Sequence, residues 1–180
     1  MIRIIGGKYK GIRLLSPRGN ETRPSLGKLR ESFFNICQNS IVGARFLDLF
    51  AGAGAMGLEA LSRGANHVTF VENAREALQT IKKNVSLLRE ESRVTILSLD
   101  VTVALKKMEG PFDLIFADPP YGKYLGDSVI TACDTLPLLA DEGELFIEDT
   151  LYNDLSLQHL QLKSTRKIGL AILKQYSRLN

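Results

Sequence analysis

Four consecutive residues, Asp118, Pro119, Pro120 and Tyr121, offer the most specific chemistry in the sequence. They follow the apolar run FDLIFAD at 112 to 118, which reads as a strand. Paired prolines stop a hydrogen-bonded ladder and lock a rigid turn. A carboxylate, the main-chain carbonyl of the first proline and an aromatic ring are thereby presented side by side. An amine attached to a flat conjugated ring is a poor nucleophile, because its lone pair is delocalised into the ring. It reacts only if its hydrogens are accepted on one side while the lone pair is aimed at an electrophile. Asp118 and the Pro119 carbonyl supply the acceptors, and Tyr121 can stack on the ring. Taken alone, Asp-Pro-Pro-Tyr is equally an ordinary rigid surface turn, so its neighbours must decide.

The neighbours are a glycine loop and three carboxylates. Gly52, Gly54 and Gly57 fit G-x-G-x-x-G between a strand at 45 to 50 and a helical stretch at 55 to 64, where helix N-terminal amides are available and a ligand can approach the backbone closely. Glu72 closes the next strand, 20 residues after Gly52, at the place where a carboxylate accepts from both hydroxyls of a ribose. A nicotinamide dinucleotide and S-adenosylmethionine both carry that ribose. Asp48, four residues before Gly52, separates them: a negative charge there opposes a pyrophosphate and suits the sulfonium and ammonium end of S-adenosylmethionine. The chain is also too short for the second nucleotide-binding half and substrate domain of a dinucleotide enzyme. Asp100 ends a third strand and has two readings, an acceptor for the adenine amine or an N-cap of the helix that follows.

The elements that must position these groups alternate in type. Strands are expected at 45 to 50, 67 to 72, 93 to 100, 112 to 118 and 143 to 149, with helices near 55 to 64, 74 to 90, 101 to 108 and 124 to 139. That rhythm gives an α/β fold with a parallel sheet covered by helices on both faces. The tail, LQLKSTRKIGLAILKQYSRL, reads as a closing antiparallel pair of strands. Residues 1–40 read separately: RIIGGKYKGIRLL is a small hairpin, and a helix begins near Ser25 with Leu26, Leu29, Phe33 and Ile36 as its apolar stripe.

Charge divides the chain in the same way. Residues 1–40 hold eight basic and two acidic side chains, net +6, and the other 140 hold 15 basic and 18 acidic, net −3. A basic extension on a mildly acidic body points to a polyanionic partner gripped at one end. The expected phosphate contacts are Lys8, Lys10, Arg13 and Lys28, with Lys123 beside the Asp-Pro-Pro-Tyr turn. Cysteine and histidine carry little signal. Cys37 and Cys133 lie far apart in no metal spacing, His67 and His159 have no partner at a telling distance along the chain, and no metal is expected. No apolar run approaches the roughly 20 residues needed to span a bilayer, and no secretory signal pattern opens the chain. A cytoplasmic protein without membrane contact is the expectation.

The set DLFAGAGAMGLEALSRGA, VE at 71 to 72, LD at 99 to 100 and DPPY resembles the amino-directed S-adenosylmethionine methyltransferases. RIIGGKYKGIRL and TRPSLGKLRESFFN narrow the resemblance to the bacterial family that methylates N2 of a guanine in 16S ribosomal RNA. It implies a Rossmann-like, seven-stranded sheet, mostly parallel with its last strand reversed, and a small basic hairpin-helix extension. It also implies a division into an RNA-binding segment at 1–40 and a methyltransferase domain at 41–180. Asp118, Pro119, Pro120 and Tyr121 would form the target-amine site, and Asp48, Gly52, Gly54, Glu72 and Asp100 would hold S-adenosylmethionine. Arg23, in the Thr-Arg-Pro turn, would lie near the mouth of the pocket. The partner would be 16S rRNA within the small ribosomal subunit or an assembly intermediate, met by a monomer. Asp-Pro-Pro-Tyr is shared with enzymes acting on adenine N6, a protein glutamine is another amine open to the same chemistry, and a non-catalytic RNA-binding assembly factor would also carry this fold. Those readings stay open on the sequence.

Overall fold

The computed structural model describes residues 2–17, 24–120, 125–148 and 155–179. The chain opens with a short antiparallel hairpin, β1 (Ile2–Arg3) and β2 (Arg13–Leu14), in which Ile2 pairs with Leu14. Helix α1 (Pro24–Ile36) follows. The body then runs β3 (Arg45–Leu49), α2 (Ala55–Ser62), β4 (His67–Glu72), α3 (Arg75–Leu88), β5 (Val94–Ser98), α4 (Val101–Lys107), β6 (Phe112–Ala117), α5 (Leu125–Thr135) and β7 (Leu139–Glu148). A hairpin of β8 (Leu160–Ile168) and β9 (Ala171–Arg178) completes it.

Seven strands form one sheet in the order β5-β4-β3-β6-β7-β9-β8. The strands from β3 to β7 are parallel, and β9 runs antiparallel to both β7 and β8, the reversed last strand expected from the tail. Strand alternation sends side chains to two cores. Phe46, Phe70, Leu114, Phe116 and Phe146 pack with Leu29, Phe33 and Phe34 of α1, Leu58 and Leu61 of α2, and Ile81, Val85 and Leu88 of α3. Leu47, Leu49, Val71, Ile115, Ala117, Leu145 and Ile147 face the other way, onto Val101 and Leu105 of α4 and Val129, Ile130 and Cys133 of α5. Cys37 and Cys133 are both fully buried, and burial pushes both thiols up.

Helix α1 is anchored by its aromatics. The ring of Phe33 meets Phe34, Phe46, Phe116 and Phe146 edge to face, with centroids 4.8, 5.9, 5.4 and 4.8 Å away. Each such pair adds about 0.5–1.5 kcal/mol to the burial of the rings. Phe34, outside the expected stripe, is as buried as Phe33. The last body helix is shorter than the sequence pattern over 124 to 139 predicts: α5 ends at Thr135 and β7 begins at Leu139. Pro137 cannot continue a helix, so the apolar Leu138 and Leu139 go into the strand and its approach instead. Leu139 pairs with Phe112, and an irregularity shifts the register before Glu144 pairs with Leu114.

Candidate active site

The sheet order reverses at β3, whose neighbours β4 and β6 lead the chain in opposite directions. In open α/β sheets the crevice at the carboxyl ends of the strands around such a point is where ligands bind. The carboxylates of Asp48, Glu72, Asp100 and Asp118 all belong to that edge. Asp48 and Leu49 of β3 lie level with Phe70 and Val71 of β4 and with Phe116 and Ala117 of β6, so Glu72 and Asp118 follow immediately on either side of the loop leaving β3. Asp100 comes two residues after β5.

The loop from β3 to α2 turns under constraint. Phe50, Gly52 and Gly54 have φ of 60, 55 and 77°, so three of five consecutive residues are left-handed, one of them without the freedom of glycine. Gly54 is the N-cap of α2. Space around Gly52 is open: an added Cβ would meet nothing within 4 Å. At Gly57 the reason for glycine differs, since a Cβ would sit 2.3 Å from a Phe70 ring carbon and 2.6 Å from a Val68 methyl. The first glycine faces open space and the last admits the strand beneath.

Two carboxylates brace this turn. Glu72 Oε2 accepts from the Gly52 amide at 2.8 Å, while Oε1 accepts from the amides of Asn73 and Ala74, each at 2.8 Å. Asp48 is 2% exposed, and its Oδ2 accepts from the Gly57 amide at 2.9 Å. Burial, reinforced by the nearby charges of Asp118 and Glu72, pushes its carboxyl up to about 8. Near neutral pH the side chain is therefore mostly protonated, and a cation brought next to it would draw it into the ionised form. The fixed charge expected from the sequence is thus a titrating one.

Asp100 does cap α4: its Oδ1 accepts from the Thr102 amide at 2.9 Å and from the Thr102 hydroxyl at 2.6 Å. The side chain is exposed. Asp118 is half-buried, Pro119 buried and Pro120 exposed. Tyr121, Lys123 and Arg23 lie outside the described residues. Lys8, Lys10, Arg13 and Lys28 are exposed, as phosphate contacts must be, although Lys8 Nζ also lies 3.4 Å from Glu90 Oε1. His67 Nε2 is 2.9 Å from the Thr95 hydroxyl on the neighbouring strand, and partial burial together with Arg45 and Arg93 lowers its pKa. His159 is exposed. Neither histidine adjoins the carboxylate cluster.

Sequence reasoning missed the residues that hold the N-terminal segment to the body. Glu59 of α2 is fully buried and accepts from the amides of Ile5 and Gly6, each at 2.8 Å, and from Arg63 Nε at 2.9 Å. Arg30, one of the eight cations of the extension, is 7% exposed and lies 3.6 Å from Glu59, with Nη2 donating to the Arg3 carbonyl at 2.7 Å. Asn84 of α3 is also fully buried. Its signal was available, since 84 lies on the helical face of Ala77, Ile81 and Leu88, where a polar residue needs partners.

The model of the family described as conserved hypothetical protein 95 matches residues 2–177. The chain belongs to that family. It is 36% identical to the Bacillus subtilis protein named "Putative rRNA methyltransferase YlbH", over 97% of this chain and 99% of the relative. It is also 36% identical to ribosomal RNA small subunit methyltransferase D of Escherichia coli, over 86% of this chain and 77% of that protein. The structure solved as "Putative methyltransferase yhhF" of Escherichia coli superposes with a TM-score of 0.87 at 32% identity, covering 98% of this chain and 97% of that one.

The chain is thus a methyltransferase with S-adenosylmethionine as its cofactor. The residues present fit that molecule. A buried carboxyl poised to ionise beside a cation suits its sulfonium end, Gly52 leaves room for close approach, and Glu72 keeps lone pairs for ribose hydroxyls. A pyrophosphate would instead face Asp48, Glu72 and Asp118 together. Among the described residues no helix is long and apolar enough to cross a membrane, and no group of three or more His, Cys, Asp or Glu is placed to hold a metal ion.

Proposed function

We propose that this protein transfers a methyl group from S-adenosylmethionine to the exocyclic N2 amine of a guanine in 16S rRNA of the small ribosomal subunit, at the 966-type position. The observation that carries the reading is the placement of Asp118 and Pro119 directly beside the glycine loop, across the β3–β6 pairing that also buries Asp48. The small-subunit rRNA named for the Escherichia coli relative and the exposed cations of the N-terminal hairpin and α1 support an RNA substrate.

Bound S-adenosylmethionine supplies a methyl group on a sulfonium, already an activated leaving group. Asp48, Gly52, Gly54, Glu72 and Asp100 would hold it at the strand ends. The Asp118 carboxylate and the Pro119 carbonyl accept the hydrogens of the guanine amine, so that its lone pair points at the methyl carbon. Attack on that carbon would form the nitrogen–carbon bond as the sulfur–carbon bond breaks and S-adenosylhomocysteine leaves, and Asp118 would stabilise the positive charge on the amine until its proton passes to the carboxylate or to solvent. Tyr121 stacks on the target base, and Pro120 keeps the turn rigid. Residues 1–40 supply the grip on RNA through Lys8, Lys10, Arg13, Arg23 and Lys28, with Lys123 beside the site, and residues 41–180 supply the chemistry. The enzyme works as a monomer in the cytoplasm.

Radiolabelled S-adenosylmethionine incubated with small subunits from cells lacking the enzyme, followed by digestion to nucleosides, tests this directly. Label in N2-methylguanosine is the expected result. Label in N6-methyladenosine would overturn the choice of base, and no label on subunits, naked RNA or DNA would return the reading to a protein substrate or a binding module.

A further inference from the structure

We propose that Asn84 is a positioning residue that couples the cofactor loop to the N-terminal segment, so that a ligand in the loop is felt along the chain leading to the RNA-gripping residues. Its Oδ1 accepts from the Leu15 amide at 2.8 Å, and its Nδ2 donates to the Leu15 carbonyl at 3.1 Å and to the Ala53 carbonyl at 3.0 Å. One side-chain amide therefore closes a two-bond ring on the backbone of Leu15 and spends its second hydrogen on the residue between Gly52 and Gly54. Both donors are used, in a fully buried position where a half-satisfied amide would be costly.

The rest of the extension is fastened elsewhere. Glu59 holds Ile5 and Gly6, the Ser62 carbonyl accepts from the Lys8 amide at 2.7 Å, and the Ser62 hydroxyl accepts from the Tyr9 amide at 2.9 Å. These contacts fix the hairpin to the C-terminal half of α2. Beyond β2 the chain leaves that anchor, and the side chain of Leu15 is half exposed, so its backbone is held through the amide of Asn84 rather than by packing. The Ala53 carbonyl lies between two left-handed glycines. Any adjustment of that turn around a ligand reorients this carbonyl, and Asn84 transmits the change to Leu15.

The inference rests on the glycine loop being the cofactor loop, and amide hydrogen exchange separates the two claims. The full-length protein is compared with and without S-adenosylhomocysteine, as wild type, Asn84→Ala and Asn84→Asp. Expected in the wild type is slower exchange at residues 50–57 and, by at least about fivefold, at Leu15. In Asn84→Asp, which keeps an acceptor and loses both donors, and in Asn84→Ala, protection of 50–57 persists and the response at Leu15 disappears. A protected loop with an unresponsive Leu15 in the wild type overturns the coupling even if neither variant folds. A response at Leu15 that survives both substitutions assigns it to another contact and also overturns the proposal. Absence of protection at 50–57 overturns the loop assignment itself.

Discussion

Asp48 is an informative titratable group. Its carboxyl is raised to about 8, so the folded protein binds a proton there that the unfolded chain releases near pH 4. Stability from this group is full below the unfolded pKa and is lost as pH rises toward 8. The wild-type melting temperature should accordingly fall between pH 4 and 8 more than that of Asp48→Asn. Cofactor binding has the opposite slope, because a sulfonium favours the ionised form. Affinity for S-adenosylmethionine should rise with pH up to about 8, by at most about tenfold per unit for one released proton. Titration calorimetry of wild type and Asp48→Asn checks this, and equal pH slopes in the two would remove Asp48 from the cofactor site. Asp118 should separate differently. Replacing it with Ala should lower methyl transfer by about 10²-fold or more, the range for a positioned acid–base group, and leave S-adenosylhomocysteine affinity within a few-fold. Equal loss of both would make Asp118 a cofactor or structural residue.

The elements show why some of this was readable from sequence and some was not. β4 was legible to the residue, because Val68, Phe70 and Val71 make a short β-rich run bounded by His67 and Glu72, and the four inner residues are all buried. The glycine loop was legible as a pattern, but its three glycines answer to different demands that appear only once β4 lies beneath α2. Gly57 illustrates this. A glycine inside a helix ordinarily costs about 1 kcal/mol relative to Ala, so Gly57→Ala should stabilise α2 taken alone. Here the added methyl runs into Phe70 and Val68, both fully buried and unable to swing away. Overpacking of that kind costs about 1–3 kcal/mol and should outweigh the helical gain. Thermal unfolding of Gly57→Ala should show a lower melting temperature, with weaker cofactor binding because the Gly57 amide that braces Asp48 is displaced. A raised melting temperature would mean that the helix–strand contact relaxes freely. The place of Asn84 on a buried helical face was legible, but its partner Leu15 and the contact of Glu59 with Ile5 span long stretches of chain and were invisible before the fold placed them.

At the scale of the molecule, the charge asymmetry of the sequence becomes a division of surface and interior. Of the eight cations in residues 1–40, Arg30 is spent inside on Glu59, and Lys8 is shared with Glu90. Lys10 and Arg13 remain exposed on the hairpin, and that hairpin is fixed by main-chain hydrogen bonds to α2, the helix that begins at the glycine loop. Phosphates bound by the hairpin, as proposed, would therefore be held at a set distance from the glycine loop, whatever the base sequence they carry. Such contacts add affinity through release of counterions and read no sequence. Substituting both Lys10 and Arg13 by Ala should weaken RNA binding and flatten its dependence on salt, by roughly 0.7–0.9 in the log–log slope for each lost phosphate contact. Preference for the target nucleotide should stay unchanged if, as proposed, the Asp118–Pro119 turn makes that choice. Filter binding across a salt series, with methylation mapped on the same RNA, measures both quantities. An unchanged slope would move the RNA contact away from the hairpin, and a changed target would give the hairpin a part in reading the site.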